Sequence, residues 1–126
     1  MEARYVFAVR FRLEPSAGGV SVEPNEFETR LYREADPPGE EGWLFFRDNL
    51  WRGDINDERH FRRLTEEALG ETVLSVEYRA LETDEEYLDA LKDEIRADLE
   101  TFNADSVSEV LNKYLGSSLE VEKEED

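Results

Sequence analysis

The alternation of apolar and polar positions predicts four strands. Over residues 4–13, apolar side chains occupy every second position, which is the period of a strand that buries one face. Further strands are predicted over 27–35, 42–47 and 72–81, and a Pro-Pro-Gly cluster between the second and third indicates a hairpin turn. Residues 42–47 are apolar at positions that would face both sides of a sheet, which favours a central strand.

Apolar positions spaced three and four residues apart predict three helices in the rest of the chain. The first helix follows Asn56, a predicted N-cap, and ends at Gly70. The second covers 84–102 behind a Thr-x-x-Glu capping box, and the third covers about 105–116. A short edge strand is predicted at 119–121.

This order of elements predicts the fold class. The order β-β-β-α-β-α-α indicates an α+β two-layer sandwich, in which a mainly antiparallel sheet of about four strands carries helices on one face. A length of 126 residues suits one domain. Residues 1–121 are therefore predicted to form a single α+β domain, and residues 122–126 an acidic tail.

The composition excludes several kinds of chemistry. The chain has no Cys, which excludes disulfides, thiol catalysis and zinc sites built on thiolates. His60 is the only histidine, so a metal site made of several imidazoles is excluded as well. No apolar run approaches the length of a membrane span, and the first residues lack the form of a signal peptide. We therefore expect a cytoplasmic protein without a metal or a cofactor.

The chain is strongly acidic, with 15 Lys and Arg residues against 33 Asp and Glu residues and a net charge of −18. Such a surface repels itself in dilute buffer, whereas in molar salt the Debye length falls to about 3 Å and the repulsion is screened. The composition therefore predicts a halophilic protein, from the cytoplasm of an organism with molar internal salt. The alternative is an acidic protein that mimics nucleic acid or binds a basic partner.

One short segment, Leu50-Trp51-Arg52 followed by Gly53-Asp54, carries a family resemblance. Together with the acidity, the preference for Arg over Lys and the absence of Cys, it resembles the LWR-salt proteins, a family of small proteins from halophilic archaea named after the Leu-Trp-Arg motif. The resemblance would cover essentially the whole chain. It implies adaptation to salt and implies no activity.

The same segment contains the first candidate binding residues, Trp51 and Arg52. Trp is rigid and costly to expose, and Arg stacks on aromatic rings or holds an anion through two hydrogen bonds. The structural alternative is a strand-to-helix corner. In that alternative Trp51 fills the interface between sheet and helix, Arg52 pairs with a nearby carboxylate, and Gly53 turns the chain.

Arg10 and Arg12 are the second candidate pair, because they lie on the polar face of the first predicted strand. Sheets that carry Arg and aromatic residues bind RNA through stacking and through contacts with the backbone. The alternative is that these arginines pair with neighbouring carboxylates.

The sequence shows no combination of acid, base and nucleophile, so an enzyme is not predicted. The apolar residues on both faces of 42–47 instead favour a non-catalytic protein-interaction module, either a homo-oligomer such as a dimer or an adaptor for another protein. Association with RNA or DNA through the Arg-rich strands and the Trp51-Arg52 corner is the alternative function.

Overall fold

The computed structural model describes residues 1–14 and 18–122. In chain order its elements are β1 (Ala3–Arg12), β2 (Glu26–Glu34), α1 (Phe45–Asn49), β3 (Leu50–Trp51), β4 (Asp54–Ile55), α2 (Glu58–Leu69), β5 (Thr72–Asp84), α3 (Glu85–Ala97), a 3₁₀ turn (Leu99–Phe102), α4 (Val107–Leu115) and β6 (Leu119–Glu122). The predicted short edge strand is confirmed by β6. The first residue of the predicted acidic tail, Glu122, belongs to that strand, and residues 123–126 lie outside the described residues.

Four of the strands form one sheet in the order β2-β1-β5-β6. β1 pairs antiparallel with β2 on one side and with β5 on the other, while β6 runs parallel to β5. This arrangement confirms an α+β fold with a four-stranded, mainly antiparallel sheet. The short strands β3 and β4 form a separate hairpin.

The prediction of a strand over residues 42–47 is wrong. Helix α1 begins at Phe45, so the Pro-Pro-Gly segment is not the tip of a hairpin. The segment is apolar because the core surrounds it: Phe46 is fully buried, and the ring of Phe45 lies 4.6 Å from that of Tyr5. A short apolar run has no period that separates a strand from a helix. The fourth sheet strand is β6, which corrects the predicted order β-β-β-α-β-α-α to β-β-α-β-β-α-β-α-α-β, the 3₁₀ turn aside.

The ends of α2 are set by its capping residues. The helix stops at Gly70, whose φ of 72° lies in the left-handed region, as predicted. The N-cap is Asp57 and not Asn56, because the Asp57 carboxylate accepts a hydrogen bond from the backbone N–H of His60.

The helix predicted over 84–102 is divided in two. α3 ends at Ala97, and the 3₁₀ turn continues to Phe102. Its N-cap is Asp84, whose carboxylate accepts from the backbone N–H of Tyr87 at 2.8 Å. The predicted cap Thr83 is instead buried within β5.

The two faces of the sheet differ in what lies against them. Odd-numbered side chains of β1, such as Phe7 and Val9, join buried side chains of all four α-helices in one hydrophobic core. On the opposite face, Val6 and Ala8 are each 4% exposed but lie outside that core. In the sheet, Ala8 lies between Arg30 and Glu77, and Val6 lies between Tyr32 and Ala80. The alternation predicted for this strand is confirmed.

Candidate functional site

β3 and β4 form a two-residue hairpin whose tip is Arg52-Gly53. The flanking residues Trp51 and Asp54 are paired across the strands. Both tip residues have positive φ, 52° at Arg52 and 85° at Gly53. Hairpins of this length favour turns with positive φ at the central positions, because the twist of such turns matches that of the strands. Glycine adopts this conformation freely, whereas an arginine is strained by it.

The hairpin tip caps the C-terminus of α4. The backbone N–H of Arg52 donates to the carbonyl of Lys113 at 2.8 Å, and that of Gly53 donates to the carbonyl of Tyr114 at 2.9 Å. Carbonyls in the last turn of a helix have no partner within the helix, so the hairpin satisfies two of them. The backbones approach closely, since a Cβ on Gly53 would lie 3.1 Å from the carbonyl oxygen of Leu115.

Trp51 lies on the outside of this junction. Its ring meets Tyr114 edge-on with the centroids 5.9 Å apart, yet 45% of the residue is exposed. The Nζ atom of Lys113 lies 5.9 Å from the Trp51 ring centroid, and the guanidinium carbon of Arg52 lies 5.7 Å from it. Lys113 is held in place by donating a hydrogen bond to the carbonyl of Phe102 at 3.0 Å. The group Trp51, Arg52, Lys113 and Tyr114 is termed the Trp51 corner.

The position of Trp51 differs from the structural alternative for this motif. The side chain that fills the interior is Leu50, which is fully buried, and not the exposed Trp51. Within residues 1–14 and 18–122, no carboxylate lies within 4.0 Å of the Arg52 guanidinium. Gly53 does turn the chain, as that alternative expects.

Lys113 and Tyr114 are members of the corner that sequence reasoning missed. One local signal was available: Arg52-Gly53 stands between the dipeptides that form β3 and β4, and a Gly-containing pair there is typical of a two-residue hairpin. No local signal shows which helix end such a hairpin would cap.

Arg10 and Arg12 lie elsewhere, on the sheet face that points away from the core. Their Nη2 atoms lie 4.0 Å and 3.4 Å from the carboxylate of Glu26, so one acid lies between two arginines. A further Arg–Glu pair, at 2.8 Å, occupies the same face. The structure therefore does not bring the two predicted pairs of binding residues together.

Burial raises the pKa of three tyrosines, and for Tyr5 it does so well above the ordinary value. Burial raises the pKa of Tyr78 to about 12 and the pKa of Tyr87 to about 12. The hydroxyl of Tyr78 lies 2.8 Å from that of Ser118, and the hydroxyl of Tyr87 donates to the carbonyl of Asp36 at 2.8 Å. Both groups remain protonated near neutral pH, and they connect elements of the fold.

Within the part of the chain that the structure describes, no three His, Asp or Glu side chains are grouped so as to hold a metal ion. None of the helices there is both long enough and apolar enough to cross a lipid bilayer.

The fold and the corner together define a class of small α+β protein in which a Leu-Trp-Arg hairpin is bonded to the end of a helix. A family model described as LWR-salt protein matches residues 1–125. The chain therefore belongs to the LWR-salt family, which confirms the resemblance carried by the motif. Comparisons with curated proteins and with solved structures gave no significant match. Membership of the family assigns no activity.

Proposed function

We propose that the protein is a non-catalytic, salt-adapted interaction module whose binding site is the Trp51 corner. One observation carries the proposal: Trp51 is 45% exposed, although two backbone hydrogen bonds hold its hairpin against α4. A rigid aromatic side chain supplies contact area at a low cost in conformational entropy, and Trp and Arg are enriched at interface hot spots. The corner therefore combines the composition and the rigidity that protein-binding sites require.

The charge of the corner favours a partner that carries acidic residues. The chain has a net charge of −18, yet the cationic side chains of Arg52 and Lys113 flank the exposed ring of Trp51. An acidic group in direct contact with this place meets cations, whereas on most of the surface it would meet carboxylates. We therefore propose a protein partner that presents a carboxylate beside an apolar side chain.

At high salt, only some kinds of interaction can contribute to the affinity of the Trp51 corner for its partner. At molar salt the Debye length is about 3 Å, so charges act only on groups that they touch. Contact between apolar surfaces is not screened in this way, and an aromatic side chain buries a large area. Most of the affinity is therefore assigned to Trp51, while Arg52 and Lys113 determine the choice of partner.

Nucleic-acid association is the alternative, and the geometry supports it less. Its candidate residues, Arg10 and Arg12, share the carboxylate of Glu26, which competes with phosphate for both guanidinium groups. Affinity for phosphate also falls steeply as the salt concentration rises. Loss of nucleic-acid binding in a folded variant with Arg10→Glu and Arg12→Glu would favour this alternative.

The test is capture of partners by the tagged full chain from a native lysate in molar KCl, with half of each sample treated with nuclease. Trp51→Ala is compared with Leu64→Ala, because Leu64 is similarly exposed, at 44% against 45% for Trp51. We expect the wild type and Leu64→Ala to capture the same proteins with and without nuclease. Trp51→Ala should lose about tenfold or more of that capture.

Unfolding in urea, in the same buffer, checks that both variants fold. Capture that Trp51→Ala leaves unchanged would contradict the proposal. Capture that nuclease abolishes would move the binding site to Arg10 and Arg12.

A further inference from the structure

The outer edge of β2 is open. This strand lies at one end of the sheet, and no strand within residues 1–14 or 18–122 pairs with its far side. It is 9 residues long, and every residue except Leu31 is exposed. Its register with β1 is regular throughout, and its sequence holds neither Pro nor Lys. Natural sheets block a long edge with Pro, with bulges or with charged side chains, because an open edge pairs with other chains. The five charged side chains of β2 are three Glu and two Arg, so they oppose pairing only in registers that bring like charges together.

The free hydrogen-bonding groups of this edge belong to even-numbered residues. The N–H of Leu13 donates to the carbonyl of Asn25, and the N–H of Ala35 donates to the carbonyl of Ala3, at the two ends of the β1–β2 ladder. In an antiparallel pair, every second residue forms these bonds. Odd-numbered residues of β2 therefore bond to β1, and the even-numbered residues direct their N–H and C=O groups outwards.

We propose that β2 pairs antiparallel with β2 of a second copy of this chain, about a two-fold axis at Thr29, so that the two sheets become one. In this register Glu28 faces Arg30 of the second copy, and the symmetry forms this pair twice. Phe27 faces Leu31 of the second copy, also twice. Opposite charges directly across from each other stabilise a strand pair, as do facing apolar side chains.

Neighbouring registers set like charges directly opposite each other, although an axis at Glu28 would also set Glu26 against Arg30 of the second copy twice. An axis at Arg30 would set that arginine against its own copy and Glu26 against Glu34, and an axis at Glu28 would set two glutamates together. Like charges directly opposite each other destabilise a sheet. The strand also suits the association of an acidic chain, because its three Glu and two Arg give a net charge of −1, against −18 for the whole chain.

Phe27 supplies apolar surface for this contact. Its ring stacks on that of Phe11 with the centroids 5.8 Å apart, but 37% of Phe27 is still exposed. In the proposed register, Leu31 of the second copy lies against that ring. The interface does not include the Trp51 corner, so the dimer and the binding of another protein are independent of each other.

Sedimentation velocity in molar KCl tests the dimer. We expect a species of twice the chain mass of 14.7 kDa. Arg30→Glu turns both attractive pairs into Glu–Glu pairs and should weaken the dimer by about tenfold or more. Adding Glu28→Arg to that variant restores both pairs in the opposite sense and should restore the dimer. Arg59→Glu makes the same change of charge on α2 and is the matched control, which should remain dimeric.

Single cysteines test the axis itself, because the chain has no Cys of its own. Thr29→Cys would face its own copy in a non-hydrogen-bonded pair, with the Cα atoms about 4.5 Å apart, a separation that a disulfide spans. Leu31→Cys would lie about 13 Å along the strands from its own copy and is the matched control. We expect Thr29→Cys to form the covalent dimer far faster under mild oxidation.

Two outcomes would overturn the proposal. One is a wild-type chain that stays monomeric in molar KCl at concentrations up to about 1 mM. The other is a dimer that Thr29→Cys crosslinks no faster than Leu31→Cys does, since the copies would then meet through another surface. Neither outcome affects the capture of another protein by the Trp51 corner.

Discussion

Replacing Gly53 with Ala tests the junction between the hairpin and α4. Gly53 has a φ of 85°, and an added Cβ would lie 3.1 Å from the carbonyl oxygen of Leu115. The left-handed conformation costs about 1–2 kcal/mol for a residue with a Cβ. The contact with the Leu115 oxygen adds a second penalty, because the hairpin must move away from α4 to relieve it.

That movement affects the two hydrogen bonds that cap the helix. They join the N–H of Gly53 to the carbonyl of Tyr114 at 2.9 Å, and the N–H of Arg52 to the carbonyl of Lys113 at 2.8 Å. Each contributes about 1 kcal/mol net to the free energy of unfolding. Gly53→Ala should therefore lower that free energy by about 2–4 kcal/mol, depending on whether one or both bonds are lost.

Gly70→Ala separates the two penalties. Gly70 has a similar φ of 72°, but no atom of the described residues lies within 4 Å of the position that its Cβ would take. This variant should lose only about 1–2 kcal/mol. Both losses are measured by unfolding in urea at molar KCl, since urea leaves the ionic strength unchanged. Equal losses for the two variants, with an unchanged dependence on urea concentration, would refute the tight junction.

Stability should also depend on salt, on high pH and on the residue at position 52. Lowering KCl below about 0.2 M should lower the Tm, because repulsion within a chain of net charge −18 is then screened less; an unchanged Tm would contradict salt adaptation. The pKa values of Tyr78 and Tyr87 rise from 10.0 to about 12 on folding, so the folded state keeps protons that the unfolded chain has lost. Their contribution to the free energy of unfolding is complete below pH 10 and is lost as the pH rises towards 12. Measured by urea unfolding, this free energy should therefore fall less between pH 10 and 12 in the double variant Tyr78→Phe, Tyr87→Phe than in the wild type. An equal fall would show that other groups cause it. Arg52→Asn should raise the free energy of unfolding by about 0.5–1 kcal/mol, because Asn tolerates positive φ better than Arg, and should weaken partner capture; a loss of stability in urea would contradict the assigned strain.

Elements with a clear apolar period are predictable from this sequence. The strand predicted over 4–13 is observed at Ala3–Arg12, and the helix predicted over about 105–116 is observed at Val107–Leu115. In each element one side packs into the core, so burial imposes its period on the residues of that side.

Residues 42–47 lack such a period for a physical reason. The ring of Phe46 meets that of Phe102 at 5.9 Å and that of Tyr114 at 5.9 Å, while the ring of Trp43 meets Phe102 at 6.0 Å. With the core on several sides, the four consecutive positions 43–46 are all apolar. The sequence does not predict the parallel pairing of β6 with β5 either, because this pairing depends on where α3 and α4 return the chain.

Only the residue types and the turn of the candidate site could be predicted from the sequence. Trp51 and Arg52 stand out by residue type, and Gly53 indicates a turn. The exposure of Trp51 depends on Leu50 occupying the interior and on the end of α4 meeting the hairpin tip. Both are tertiary contacts between segments far apart in the sequence, which local pattern does not encode.

Within the Leu-Trp-Arg-Gly motif, Leu50 and Gly53 stabilise the fold, whereas the side chains of Trp51 and Arg52 face solvent. Leu50 is fully buried, and Gly53 provides the close approach to α4. Arg52 contributes its backbone N–H to the cap of α4, which every residue except Pro would supply, and its φ of 52° is one that Gly or Asn adopts more readily. The stability of the turn therefore does not explain an arginine at this position, and burial does not explain an exposed Trp51. Residues that go against local preference are expected at functional sites, so the proposed binding site lies on the side chains of Trp51 and Arg52.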